Sequence, residues 1–222
     1  MPTIPVLVCF DLGGVCVRLQ PDWASACAAA GVAVTPTLSD AQARAALTHL
    51  VQQSTLGRVG PHAFFAQAAA LTGWTPADIR AISRAWLINP YPGIPELVTE
   101  LVERGLSTAC LSNTNAHHWQ IVTGESDGNS ATLDGPDPQY AFLLRMNYRV
   151  ASHRVGNMKP APAIYQYLED RAGLSGSQIV YFDDVPEFCA AARARGWQAH
   201  LIDARGDTAA QCRAVLRDLR LL

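Results

Sequence analysis

One short stretch near the start of the chain constrains the fold more than any other. An apolar run from Val6 to Phe10 ends in a single carboxylate, Asp11, and the glycines Gly13 and Gly14 follow. Such a run is typical of a strand buried on both faces of a parallel sheet. Paired glycines allow a sharp turn and a close approach of the backbone to a ligand. Because open α/β sheets bind ligands at the carboxyl ends of their strands, Asp11 is the first candidate functional residue.

Composition limits the classes of partner. The 222 residues suffice for one domain with an insertion. The formal net charge of −2 gives no long-range attraction to nucleic acid or to an anionic membrane surface, so we expect neither as a partner. No apolar run approaches the roughly 20 residues of a membrane span, and the first residues lack the basic segment of a signal peptide.

The six cysteines form neither a C-x-x-C pair nor a patterned framework. Patterned spacing marks zinc sites and small disulfide-rich domains. Free, buried thiols in a reducing compartment are the better interpretation of isolated cysteines. We therefore expect a cytoplasmic protein.

A helical segment interrupts the α/β pattern of the chain. From about residue 22 to residue 89, alanine is abundant, the periodicity is helical and no strand pattern appears. Start signals such as Ser39-Asp40 and Thr75-Pro76 help to place four predicted helices, at 22–30, 39–54, 61–72 and 76–88. We expect residues 19–91 to form a small helical cap domain over the sheet edge that carries Asp11. Residues 1–18 and 92–222 would then form the core domain.

Strands and helices alternate through the rest of the chain, which predicts an α/β fold with a parallel sheet. The predicted strands lie at 106–111, 148–152, 178–182 and 198–202. The predicted helices lie at 94–104, 116–122, 140–146, 161–172, 186–195 and 208–221. Residues 124–138 are rich in Gly, Ser, Asp, Asn and Pro, and this composition predicts an exposed loop.

Polar residues recur where these strands end. In a parallel sheet all carboxyl ends lie on one edge, so residues far apart in sequence are expected to converge there. Each residue alone also fits a structural role, as a helix cap, a turn former or a solvated lysine. Their order along the chain favours a shared site, formed by Asp11, Ser112, Asn113, Lys159, Asp183 and Asp184.

This set of side chains suits phosphoryl transfer. A carboxylate such as Asp11 can act as a nucleophile and form an acyl phosphate. Lys159 and the Ser112 hydroxyl can hold phosphate oxygens, where transition-state charge collects. The adjacent Asp183 and Asp184, with no His or Cys beside them, suit Mg²⁺ better than zinc. The sequence therefore predicts a magnesium-dependent reaction on a small phosphorylated substrate.

Four stretches resemble the ordered motifs of the haloacid dehalogenase-like (HAD) superfamily: Phe10–Val15, Leu111–Asn115, Met158–Pro160 and Phe182–Asp184. The chain is most similar to its bacterial sugar-phosphate phosphatases with a small helical cap, such as the alpha-glucose-1-phosphate phosphatases. The resemblance implies a Rossmann-like three-layer sandwich with an inserted cap.

The resemblance also implies roles for individual residues. Asp11 would be the nucleophile, and Lys159 would assist it. Ser112, Asn113 and Lys159 would hold the phosphate. Mg²⁺ would be bound by Asp11, the backbone carbonyl of Gly13 and Asp184, with Asp183 binding directly or through water.

One position departs from the pattern of most phosphatases of this superfamily. They carry a second aspartate two residues after the nucleophile, which protonates the leaving oxygen, whereas this chain carries Gly13. Loss of a general acid typically costs about 10²–10⁴-fold in rate. The enzymes that it most resembles also carry Asp-Leu-Gly, and the change favours substrates with good leaving groups, such as an anomeric phosphate. His49 and His62 are candidates by residue type alone to replace the acid.

The leading hypothesis is therefore a Mg²⁺-dependent phosphatase that acts on a small phosphorylated metabolite, in particular a sugar phosphate, through an aspartyl phosphate. One alternative is a phosphate-binding or regulatory domain with little turnover, because Gly13 replaces the usual acid. A second is a haloacid dehalogenase, which uses the same nucleophile without a metal. The unneutralised pair Asp183 and Asp184 beside an anionic nucleophile argues against the dehalogenase.

Overall fold

The structure, a computed structural model, describes residues 7–126 and 133–222. Val6 and part of the predicted loop at 124–138 lie outside the described residues. Five parallel strands form the central sheet in the order β5-β4-β1-β6-β7. They are β1 (Leu7–Phe10), β4 (Ser107–Ser112), β5 (Tyr148–Ala151), β6 (Ile179–Asp183) and β7 (Gln198–Leu201).

The central strand β1 is buried on both faces, as its apolar sequence predicts. Leu7 and Cys9 pack into one hydrophobic core, and Val8 and Phe10 pack into the other, because side chains alternate between the faces of a strand. Each core is closed by helices, so the molecule has three layers. The predicted α/β fold with a parallel sheet is confirmed.

Helices cover both faces of the sheet. On one face lie α5 (Ile94–Glu103), α6 (Ala116–Thr123) and α10 (Thr208–Asp218). On the other lie α8 (Pro162–Ala172) and α9 (Pro186–Ala194). A short helix, α7 (Ser152–Val155), follows β5, and 3₁₀ turns lie at Pro36–Ser39, Pro138–Arg145 and Gly176–Gln178. The predicted helix at 140–146 is thus a 3₁₀ helix.

Four helices between β1 and the rest of the sheet share a hydrophobic core of their own. They are α1 (Trp23–Ala30), α2 (Ala41–Thr55), α3 (Pro61–Thr72) and α4 (Pro76–Ala85). Side chains cap the first turns of α1, α2 and α4: Asp22 and Asp40 each accept a bond from a backbone N–H, and Thr75 forms a capping box with Asp78.

The prediction that no strand interrupts residues 22–89 is wrong. Leu87–Pro90 forms β3, which pairs antiparallel with β2 (Val17–Leu19), and α4 ends at Ala85 rather than at residue 88. Four residues are too few to show a period, and their partner lies about seventy residues earlier in the chain. The four helices α1 to α4 form a helical block. The two-stranded ribbon of β2 and β3 joins this block to the central sheet, because β2 follows β1 and β3 precedes the helix α5.

Two further sequence features can be checked against the structure. All six cysteines are buried and free of disulfide bonds. Among the residues at 7–126 and 133–222, no helix is long and apolar enough to cross a lipid bilayer.

Candidate active site

The strand ends bring three carboxylates together at the carboxyl edge of the sheet. Asp11 follows β1 directly, and its N–H donates to the carbonyl of Phe182 on the neighbouring strand at 2.8 Å. Asp183 is the last residue of β6, and Asp184 follows it. One oxygen from each of the three carboxylates lies within 4.8 Å of the others. Hard oxygen donors in this arrangement could hold a divalent metal ion such as Mg²⁺.

Lys159 is the cation of this cluster, and it is the only lysine in the sequence. Its Nζ lies 2.8 Å from Oδ1 of Asp11 and 2.7 Å from Oδ2 of Asp183. It also donates to the Tyr181 hydroxyl at 2.9 Å. The side chain is fully buried, so its charge is compensated by the two carboxylates rather than by water.

Burial shapes the protonation of the cluster. Desolvation raises the pKa of Asp11 to about 7, although Lys159 opposes the shift, and Asp183 adds to it. Desolvation and the charge of Asp183 also raise the pKa of Asp184. Burial alone would lower the pKa of Lys159, but Asp11 and Asp183 outweigh it and raise that pKa. Without a metal, the site therefore carries more negative charge than one ammonium group stabilises, and a bound cation would favour the ionised carboxylates.

Asn113, which follows β4, forms hydrogen bonds with the backbone of Lys159. The side-chain amide of Asn113 donates to the carbonyl of Lys159 at 2.9 Å and accepts from its N–H at 2.7 Å. Ser112, the last residue of β4, is buried beside it. Asn113 therefore positions the backbone that carries Lys159, and direct contact of its side chain with phosphate stays a prediction.

The two glycines after Asp11 serve different purposes. Gly14 has a φ of +76°, and a β-carbon there would overlap the carboxylate of Asp184. A β-carbon on Gly13 would lie 2.6 Å from Cδ1 of Leu19. Gly14 thus makes room for a proposed metal ligand, whereas the side-chain space at Gly13 is filled by an apolar group. Whether the Gly13 carbonyl binds a metal stays a prediction.

The sequence analysis missed Tyr181, which also contacts Asp183 through its hydroxyl. The signal was available: residues two apart in a strand share a face, and Tyr181 lies two residues before Asp183. It also missed a hydrogen-bonded chain outside the carboxylate cluster, which runs from Asp134 through His117 to Ser83. The two histidines favoured by residue type, His49 and His62, are exposed.

A cavity of about 280 Å³ lies between the helical block and the loop that follows β4, and none of the three carboxylates of the cluster lines it. Leu19, which covers Gly13, and Asn113, which holds Lys159, both line it. Its other walls come from all four helices of the helical block and from the start of α6. A ligand in this cavity would lie between the helical block and the strand ends.

Comparisons with known proteins assign the family. A model described as a haloacid dehalogenase-like hydrolase matches residues 6–196. The match spans most of the chain and all four strand-end motifs. The chain therefore belongs to the haloacid dehalogenase-like hydrolase family.

Individual relatives agree with this assignment. A Mycobacterium tuberculosis protein named as a phosphatase is 28% identical over 132 residues, which are 60% of this chain and 54% of that protein. The match thus spans about half the length of this curated relative.

Solved structures share the fold at low identity. A HAD family enzyme from Bacteroides thetaiotaomicron matches with a TM-score of 0.77 at 20% identity, over 95% of this chain and 100% of that one. A HAD-like family hydrolase from Porphyromonas gingivalis matches with a TM-score of 0.74 at 19% identity, over 97% and 99% of the chains. The Bacteroides enzyme has also been crystallised with magnesium and inorganic phosphate; that structure matches with a TM-score of 0.70 at 20% identity, over 91% and 96% of the chains.

Proposed function

We propose that this chain is a Mg²⁺-dependent phosphatase that hydrolyses small phosphate monoesters through an aspartyl phosphate on Asp11. One observation carries the proposal: the carboxylates of Asp11, Asp183 and Asp184 lie within 4.8 Å of one another, with Lys159 bound to two of them. The name of the tuberculosis relative and the magnesium and phosphate bound by the Bacteroides enzyme support the same chemistry.

Asp11 is the proposed nucleophile, with Asp183, Asp184 and the Gly13 carbonyl as further metal ligands. When bound, Mg²⁺ would supply the positive charge that lets an anionic carboxylate approach an anionic phosphate. An Oδ atom of Asp11 attacks phosphorus, and the bond from phosphorus to the ester oxygen breaks. The alcohol leaves with that bond's electrons and takes a proton from water.

The second half of the reaction frees the enzyme. Water attacks the phosphorus of the aspartyl phosphate, the bond to Asp11 breaks, and inorganic phosphate leaves. Lys159 and Ser112 are proposed to hold phosphate oxygens while charge builds on them in both steps. Asn113 keeps Lys159 in place through its two bonds to the Lys159 backbone.

The apolar surroundings of Gly13 limit the substrate to esters with good leaving groups. Residue 13 is a glycine and Leu19 fills the space beside it, so no side chain from this position protonates the departing oxygen. Sugar phosphates with an anomeric phosphate, expected from the sequence, are one class of such esters. The helical block at residues 19–91 is proposed to act as the cap that encloses the leaving group.

A substrate panel tests the proposal. Phosphate release is measured from acetyl phosphate, p-nitrophenyl phosphate and sugar phosphates, with Mg²⁺ and with a chelator. We expect release that requires the metal. Metal-dependent phosphate binding without any release would instead identify a binding domain, and halide release from haloacids without metal would identify a dehalogenase.

A further inference from the structure

The walls of the cavity between the helical block and the loop that follows β4 are mainly apolar. Six apolar side chains line it, contributed by β2 and by the helical block: Leu19, Trp23, Val51, Phe64, Ile79 and Trp86. The Trp23 and Trp86 rings pack edge to face with their centroids 5.2 Å apart. Such a surface stabilises apolar ligand groups and offers no partner to a hydroxyl.

Three polar side chains on the core side of the cavity already make hydrogen bonds, and Thr114 adds a hydroxyl group there. The amide of Asn113 is held by the backbone of Lys159 at both ends. The side-chain oxygen of Asn115 accepts from the N–H of His118 at 3.0 Å. His118 Nε2 lies 2.9 Å from the carbonyl of Ser83. On the other side, α2 contributes the hydroxyl groups of Thr48, Ser54 and Thr55, which serve one wall and leave the apolar walls without hydrogen-bond partners.

The orientation of the Ser83 hydroxyl follows from its partners. Desolvation acts to raise the pKa of Asp134, but hydrogen bonds from Arg80 and His117 together outweigh it and lower that pKa to about 2, so Asp134 is ionised. It can therefore only accept, so His117 Nε2, at 2.7 Å, donates to it. Burial lowers the pKa of His117 and keeps the ring neutral, which leaves Nδ1 as an acceptor. Ser83 Oγ, 2.8 Å from that nitrogen, must donate to it.

Ser83 thus presents oxygen lone pairs, and no proton, to the cavity that it lines. His118 Nε2 approaches the same oxygen at 3.2 Å, so one lone pair is partly occupied and the other is available. The cavity therefore combines an apolar body with a fixed acceptor on α4.

We propose that this cavity binds the leaving group of the substrate, and that this group is a compact, mainly apolar or aromatic alcohol with one hydrogen-bond donor, received by Ser83. This inference rests on the proposed function, because it assigns the substrate class of the same site. A cavity of roughly 150 Å³ holds benzene, so about 280 Å³ admits a substituted ring or a fused pair of rings. A sugar of similar size would leave hydroxyls unpaired against the tryptophan, valine and leucine walls.

Kinetics with an acyl phosphate and with phosphate esters separate this inference from the proposed function. Acetyl phosphate has a good leaving group that is too small to fill the cavity, whereas naphthyl phosphate and naphthylmethyl phosphate have leaving groups that fill it. Metal-dependent hydrolysis of acetyl phosphate reports the chemistry alone, and its absence would contradict the proposed function. The inference predicts a higher kcat/KM for naphthylmethyl phosphate than for a hexose 6-phosphate. Both release a primary alcohol, so the reactivity of the leaving group does not decide this comparison. A preference for the hexose 6-phosphate would overturn the inference and leave the phosphatase proposal standing.

Variants on α2 test whether the leaving group of the substrate binds in this cavity. Val51→Asn places an amide in the cavity wall, and Ala45→Asn places the same amide on the exposed side of the same helix. We expect Val51→Asn to lower the ratio of kcat/KM for naphthyl phosphate to that for acetyl phosphate about tenfold. Ala45→Asn should keep the ratio of the wild type. An equal ratio in all three proteins would overturn the inference.

A binding measurement tests the role of Ser83 without turnover. Phenylethanol and hydroxyphenylethanol differ by one phenolic hydroxyl, and each is titrated against tryptophan fluorescence, to which Trp23 and Trp86 contribute. The hydroxyl should improve affinity about threefold in the wild type, and Ser83→Ala should abolish that gain. Equal affinities in the wild type, or a gain that persists in Ser83→Ala, would overturn the assignment of Ser83.

Discussion

Cδ1 of Leu19 lies 2.6 Å from the position that a β-carbon would take on Gly13. Leu19 on β2 therefore fills the space that a side chain would enter two residues after Asp11. Most phosphatases of the superfamily carry their general acid there, whereas the enzymes that this chain most resembles carry glycine. Leu19 is 39% exposed and its side chain ends in flexible methyl groups, so it can rotate away. The position is thus closed by packing, and a substitution can reopen it.

Gly13→Asp should introduce the missing acid once Leu19 rotates. We expect the variant to raise kcat for an alkyl phosphate, such as glycerol phosphate, about tenfold or more. The rate for p-nitrophenyl phosphate should change little, because nitrophenolate leaves without protonation. Steady-state kinetics on both esters measure the difference.

The matched control for that variant is Gly13→Asn, which has nearly the same shape and no acidic proton. It should displace Leu19 equally and leave the alkyl phosphate rate near that of the wild type. An equal rise in both variants would show that space at this position, rather than proton transfer, limits the reaction.

The neighbouring glycine tests the metal site. Gly14→Ala imposes strain at a φ of +76° and pushes the β-carbon into the carboxylate of Asp184. We expect it to weaken Mg²⁺ binding about tenfold or more, measured by calorimetry. Gly13→Ala needs only the movement of Leu19 and should bind Mg²⁺ like the wild type. Equal Mg²⁺ affinities in both alanine variants would contradict the assignment of Asp184 as a metal ligand.

Lys159 is expected to stabilise the fold of the metal-free protein. Lys159→Met leaves Asp11 and Asp183 buried without their cation, which typically costs about 3 kcal/mol of unfolding free energy. Mg²⁺ should reduce this loss, because it compensates the same carboxylates. Urea unfolding with and without Mg²⁺ measures both effects. A variant as stable as the wild type in the absence of metal would contradict the electrostatic account of the cluster.

The burial of His118 predicts how the stability of the fold depends on pH. Burial, with a smaller contribution from His117, lowers its pKa to about 3 from an ordinary 6.5. Between these values the unfolded chain binds a proton that the folded chain does not, so stability falls as the pH drops through this window. The wild type should lose about 2 kcal/mol more than His118→Gln between about pH 7 and pH 5. If the stabilities of the two proteins fell in parallel as the pH dropped, the lowered pKa of His118 would be contradicted.

The strands of the sheet could be predicted because the signal for each is local. Both faces of β1 and β6 are buried, so their sequences are continuously apolar, and the predicted 178–182 differs by one residue from Ile179–Asp183. The strand β3 could not be predicted, because only its pairing with β2 makes it a strand.

Part of the candidate site could likewise be predicted from the sequence, and part of it could not. The approach of Asp11 to Asp183 follows from topology, because parallel strands end on one edge. The bonds of Asn113 to the Lys159 backbone depend on the packing of two loops that are 46 residues apart. The hydrogen bonds from Asp134 to His117 and from His117 to Ser83 join three segments of the protein, and no sequence pattern predicts these bonds.

The most direct test of the central claim is to trap the phosphate on Asp11. The enzyme is mixed with labelled acetyl phosphate and Mg²⁺, quenched in acid within a single turnover, and digested for mass spectrometry. We predict an acid-stable, hydroxylamine-labile phosphoryl group on the peptide that contains Asp11, and no such group or turnover in Asp11→Asn. Metal-dependent phosphate release that persists in Asp11→Asn would contradict the account.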